Sequence, residues 1–91
     1  MFQTFYMVKM PRPLARKLMT VKKVKGEAND LRMEVSVPDF SRESYEFFYF
    51  GFIQFLEDAV GKQLTSEYLR QCKVYQIVKR GDKIIDKKRV T

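Results

Sequence analysis

Two groups of cationic side chains are the residues whose type and crowding could do chemistry in this sequence. Arg12, Arg16, Lys17, Lys22, Lys23 and Lys25 lie near one end, and Lys79, Arg80, Lys83, Lys87, Lys88 and Arg89 near the other. The chemistry such groups do best is to attract phosphate, displacing the counterions condensed on a polyanion. The charge comes in blocks. Residues 1–25 carry seven bases and no acid, residues 26–61 two bases against eight acids, and residues 62–91 nine bases against three acids. If the two ends meet in space, they form one cationic face suited to a phosphate backbone. If they do not, they are solvated ends balancing an acidic middle.

Other chemistry is thinly represented. The chain has no histidine and a single cysteine, Cys72, so the commonest general base and the commonest metal ligand are both missing. Phosphate-cradling and nucleophile-elbow glycine motifs are absent. Asp82 and Asp86 are close in sequence, but they sit among lysines, where turn and ion-pair roles suit them better. No enzyme activity, metal or cofactor is expected. Cys72 has no base near it in sequence and reads as a small buried apolar residue. One cysteine excludes an intrachain disulfide, which suits a reducing compartment. The first residues lack a basic segment followed by an apolar run, and the apolar stretch from Phe47 to Leu56 is too short to span a bilayer. A soluble, cytoplasmic protein is therefore expected. Arg80-Gly81-Asp82 also spells an adhesion tripeptide, a coincidence on this reading.

The elements that must position these residues follow from local pattern. Phe2 to Met10 reads as a strand stopped by Pro11. Residues 14–25 admit two readings. Leu14, Leu18 and Val21 share a helical face, with Pro13 suited to the first turn and Gly26 to a cap. The β-branched Thr20, Val21 and Val24, followed by a loop-like 26–30, favour instead a turn at 13–16 and a strand at about 17–25, and this is the expectation adopted. Leu31 to Val37 alternates apolar and polar residues as a half-buried strand does. Asp39 or Ser41 then caps a helix over roughly 41–60, whose broad apolar face holds Tyr45, Phe48, Tyr49, Phe52, Ile53, Phe55, Leu56, Ala59 and Val60. Gly61 ends it. A short helix from Thr65 or Ser66 to about Cys72 precedes two strands, Lys73 to Lys79 and Lys83 to Val90, joined at Gly81.

These elements predict one α+β domain over residues 1–91, with an antiparallel sheet of about five strands packed on one long aromatic-rich helix, a short second helix and a terminal hairpin. Phe47 and Phe50 fall on the polar side of the long helix, beside Glu46, Gln54, Glu57 and Asp58. A covering partner, such as a second copy in a homodimer, is expected for them. Leu56 to Arg70 has approximately helix-turn-helix spacing, with the hairpin where a winged domain would place its wing. Phe2, Phe5, Tyr6 and Tyr75 stand near bases, as rings that stack on nucleobases do, but the core is their expected place. The leading expectation is a small nucleic-acid-binding accessory or regulatory protein, for DNA or RNA, docking through the N-terminal basic segment and the hairpin. The rivals are a protein-interaction module or inhibitor acting through Phe47 and Phe50, and attachment of residues 1–25 to an anionic membrane.

Overall fold

The computed structural model describes residues 1–23 and 31–91 of the chain. Strand β1, Phe2–Lys9, is followed by helix α1, Arg12–Lys22. Strand β2, Arg32–Val37, leads into the long helix α2, Arg42–Val60. Helix α3, Lys62–Tyr68, and a single 3₁₀ turn, Leu69–Gln71, return the chain to strands β3, Lys73–Arg80, and β4, Lys83–Arg89. The sheet is four-stranded and antiparallel in the order β2-β1-β3-β4.

Residues 12–22 form a helix rather than the expected turn and strand, so among the described residues the sheet has four strands instead of about five. Pro11 holds the extended conformation of an N-cap residue, and Pro13 lies in the first turn, where its missing N–H costs nothing. Leu14, Ala15 and Leu18 then bury one helical face, which outweighs the β propensity of Thr20 and Val21. Lys23 closes the helix with a left-handed φ of 54°, its N–H donating to the Met19 carbonyl. Val24, Lys25 and the loop expected at 26–30 lie outside the described residues.

Ser41 caps α2, its hydroxyl accepting from the Ser44 N–H at 3.2 Å. Asp39 braces the cap by accepting from the Ser41 N–H and the Ser44 hydroxyl. These bonds, the Ser41 contribution first, hold the Asp39 carboxyl below its ordinary pKa. Gly61 ends α2 at a φ of 91° that favours glycine, and its carbonyl accepts the first bond of α3 from Thr65. Helix α3 therefore starts at Lys62, earlier than Thr65. The buried Thr65 hydroxyl donates to the same carbonyl at 2.8 Å.

All three helices contribute to one core against one face of the sheet, so α2 does not cover the sheet alone. Tyr6 and Val8 of β1, with Val74 of β3, meet Leu14, Ala15 and Leu18 of α1 and Phe48, Phe52 and Leu56 of α2. The Tyr6 ring stacks on Phe48 at 4.7 Å between centroids and meets Phe40 and Tyr45 edge-on at 5.4 Å. Burial pushes the Tyr6 phenol pKa up, with Gln76, its cross-strand partner, opposing the shift. No described helix is long and apolar enough to cross a membrane.

The helical phase of α1 is checked by paired substitutions. Leu18→Ala should lose about 2–5 kcal/mol of stability, as buried Leu truncations do, whereas the half-exposed Val21 should tolerate Ala at a cost below about 1 kcal/mol. Urea denaturation of the two variants reads the difference; equal losses would contradict the buried face assigned to α1.

Candidate functional site

The face of the sheet turned away from the helices collects the residues of interest. In an antiparallel ladder, directly opposed residues project to the same side, so the register gives the layout. Across β2, β1 and β3 the first row is Arg32, Lys9, Lys73. Across all four strands the second row is Glu34, Met7, Tyr75, Arg89, and the third is Ser36, Phe5, Ile77, Lys87. Gln3, Lys79 and Ile84 make the fourth. A bulge between Val78 and Lys79 leaves Ile85 as the extra residue of the edge strand. Arg32, Lys9, Lys73, Arg89, Lys87 and Lys79 thus share this face with one acid, Glu34.

Strand β1 is apolar to both sides, and this sets the face's texture. Met7 is 2% exposed and Ile77 fully buried, although among the described residues no helix lies over them. Long neighbouring side chains cover them. Lys79 lies over the Phe5 ring with its Nζ 5.1 Å from the centroid, and the same ammonium pairs with Glu34 at 2.6 Å. Lys87 lies over Tyr75 at 4.7 Å. Both lysines lay their methylenes along apolar surface and keep their charges near water. A surface ion pair is worth about 0–1 kcal/mol and an exposed cation–π contact about 0.5–1 kcal/mol, so these lysines are lightly held.

The first row is electrostatically unfavourable as it stands. Lys9 lies directly opposite Arg32 on one side and Lys73 on the other. Like charges in directly opposed positions destabilise a sheet. Among the described residues, ion pairs join only Lys79 to Glu34 and Arg42 to Glu46. At the same end of the sheet a hollow of about 450 Å³ is lined by Lys9, Met10, Pro11, Arg70, Gln71, Lys73 and Arg89. Four bases on one hollow offer converging donors to an anion, and a bound phosphate would relieve the repulsion.

The structure divides the sequence-predicted bases. Lys79, Lys87 and Arg89 come together on the helix-free face. Lys88 pairs with Gln76 and projects to the other side, and Arg80 and Lys83 oppose each other at the far tip of the hairpin. Arg12, Arg16, Lys17, Lys22 and Lys23 are exposed in the helix layer, with Lys22 over the Phe55 ring. Lys25 is outside the described residues. Lys79, Lys87 and Arg89 therefore lie on the opposite side of the sheet from the bases of α1. Lys9, Arg32, Arg70 and Lys73 are not among the binding residues expected from the sequence, and Phe5 is on the open face rather than in the helix-side core, as is Tyr75. The available signal was β1 itself, where Phe5 and Met7 alternate with Tyr6 and Val8, so that one apolar set must face away from the helices.

The helix-turn-helix expectation does not survive this topology. β3 is an interior strand bonded to β1 along its length, so the hairpin is no free wing. α3 has seven residues and contributes Leu64 and Tyr68 to the core. Phe47 and Phe50 are 85% and 72% exposed. Phe47 stands between two apolar hollows, one bounded by Val35, Val37 and Pro38 and the other by Met33, Gly51, Phe52 and Phe55. Among the described residues no three His, Cys, Asp or Glu come together as metal ligands. No family model, curated protein or solved structure matches the chain.

Cys72 is buried where the 3₁₀ turn meets β3, its thiol donating to the Tyr68 carbonyl. Desolvation pushes its pKa up to about 11. A raised thiol pKa means less thiolate at neutral pH, so alkylation by iodoacetamide should be slow in the folded protein. It should quicken roughly tenfold per pH unit up to about pH 11, following the thiolate fraction. Mass spectrometry of timed samples checks this; fast, pH-independent labelling at pH 7 would contradict it.

Proposed function

We propose that the protein binds nucleic acid, as an accessory or regulatory factor, through the helix-free face of its sheet. The observation that carries this reading is the row Arg32, Lys9, Lys73, opposed in register without an intervening acid and continued by Arg70 and Arg89 around one hollow. A protein gains nothing in stability from placing three cations side by side, whereas a phosphate backbone converts the repulsion into binding. The alternative explanation of lysine-rich strands, protection of an edge against aggregation, accounts for β4. It does not account for Lys9 and Lys73, which lie on the two interior strands.

Affinity for a labelled oligonucleotide should fall by orders of magnitude between about 50 and 200 mM salt. Lys87→Glu with Arg89→Glu should weaken binding and flatten the slope of log K against log salt by about 1–2, the equivalent of two lost phosphate contacts. Arg16→Glu with Lys17→Glu, in the helix layer, should change affinity far less. Fluorescence anisotropy measures all three proteins. Equal weakening by both pairs would mean that overall charge, and not this face, drives the binding.

Phe47 and Phe50 favour a second reading, a protein contact through α2. Two largely exposed rings, that of Phe47 beside apolar hollows, leave roughly 1.5–3 kcal/mol each of burial unrealised. Twofold pairing of two chains is the simplest way to cover them. Sedimentation equilibrium should then show concentration-dependent association of the wild type, abolished in Phe47→Ser with Phe50→Ser. A wild type that stays monomeric at every concentration would refute self-pairing.

A further inference from the structure

The same face carries two features that phosphate binding leaves unused. Phe5 and Tyr75 are partly exposed rings on adjacent interior strands, in the middle of the basic field. Phe5 is directly opposite Ile77, and Tyr75 lies two residues along β3, so the rings are diagonal neighbours. Diagonal positions of this kind are about 7–8 Å apart. Bases stacked in a duplex follow each other at about 3.4 Å along each strand. Two neighbouring bases that each cover one of these rings must therefore be drawn out of their stack. A single strand does this readily, because its bases are already unpaired and free to splay, whereas a duplex must first be opened.

We infer that this face is a platform for single-stranded nucleic acid, with one base on Phe5, a neighbouring base on Tyr75, and the connecting phosphates held by the surrounding bases. The inference rests on the nucleic-acid reading above and specifies its ligand. Charge complementarity identifies the partner as a polyanion: Arg32, Lys9, Lys73, Arg89, Lys87 and Lys79 ring the two aromatics, with Glu34 as the one acid on the face among the described residues. The lysines now over the rings show how the exchange proceeds. The Lys79 and Lys87 ammonium groups occupy the π-faces at 5.1 and 4.7 Å, where a base would stack. An arriving base displaces each ammonium from its ring, and the displaced group is left beside the phosphate that came with that base. Lys79 exchanges its exposed pairing with Glu34 for a phosphate in the same movement.

The face would not serve a duplex in this way. A rigid helix presents phosphates to the sheet and keeps its base faces inside, so Phe5 and Tyr75 would stay under their lysines. Affinity for a duplex then comes from charge alone, and affinity for a single strand from charge and stacking together.

The test uses the full chain with fluorescein-labelled oligothymidylate and oligouridylate of about eight residues, and a duplex of matched charge, at about 50 mM salt. Both single strands should bind at least about ten-fold more tightly than the duplex. Phe5→Leu and Tyr75→Leu keep apolar cover over Met7 and Ile77 but remove the π-face. Each should weaken single-strand binding about ten-fold, leave duplex binding unchanged, and leave the salt slope unchanged because no charge is lost. Tyr75→Phe keeps the ring and should bind as the wild type does, which separates loss of stacking from loss of fold, and thermal melts of each variant check the latter directly. A duplex bound as tightly as the single strands, or Leu variants that bind single strands like the wild type, would overturn the platform while leaving a general nucleic-acid-binding face standing. Failure of the wild type to bind any of the three probes would overturn both.

Discussion

Strand β1 is flanked by β2 and β3 and is apolar on both of its faces, and most of the structure follows from satisfying it. Tyr6 and Val8 project to one side, Phe5 and Met7 to the other. The helices cover the first pair. Tyr6 is the centre of that packing, with Phe48 stacked on it and Phe40 and Tyr45 at its edges. Aromatic contacts of this kind contribute about 0.5–1.5 kcal/mol each beyond the area they bury. Placing α2 over Tyr6 fixes where Phe52 and Leu56 meet the sheet, and α1 fills the remaining space with Leu14, Ala15 and Leu18. The second pair has no helix over it among the described residues. Met7 and Ile77 are kept from water by Phe5, Tyr75 and the aliphatic parts of long charged side chains, so the same residues that protect the open face also charge it.

That double use explains why the basic field is densest where the sheet needs cover. Lysine methylenes bury apolar surface at little cost to the solvation of the ammonium group. Glutamate has a shorter stem and, at Glu34, serves instead to anchor Lys79 across Phe5. The row at the end of the sheet is different in kind. Lys9, Arg32 and Lys73 are exposed. Their opposition in register is locally unfavourable to the sheet.

Where each element was legible in the sequence, a local rule decided it. β2 alternates cleanly, the Ser41 cap and the Gly61 stop bracket α2, and Gly81 marks the hairpin turn. The helical phase that left Phe47 and Phe50 outside the core was equally local. Over residues 12–22 two local signals conflict: Pro13 and the Leu14, Ala15, Leu18 spacing favour a helix, Thr20 and Val21 a strand. Burial of one helical face, a tertiary term, decided between them. Strand order was beyond local reading altogether. β1 pairs with β3 across more than sixty residues of chain, as in Thr4 opposite Val78, and nothing in either segment names the other. The candidate site is made by that pairing, so Lys9 and Lys73 become neighbours only in the fold.

The pairing also makes the two basic ends unequal, although their sequences carry similar charge. The bases of α1 share the helix layer with the acids of α2, Glu43, Glu46, Glu57 and Asp58, so the field above that layer mixes both signs. Among the described residues Glu34 is the one acid on the helix-free face, and Lys79 pairs with it. A distant polyanion feels the net charge of +7, which draws it toward the protein from any direction. Within a Debye length, about 8 Å at physiological salt, only the nearer layer matters. The sheet is thin compared with the length of the molecule, but its two sides are still separated by packed side chains and strands. A phosphate chain held on the proposed face would therefore meet the cations and the two aromatic rings of that side and not the mixed charges of the helix layer.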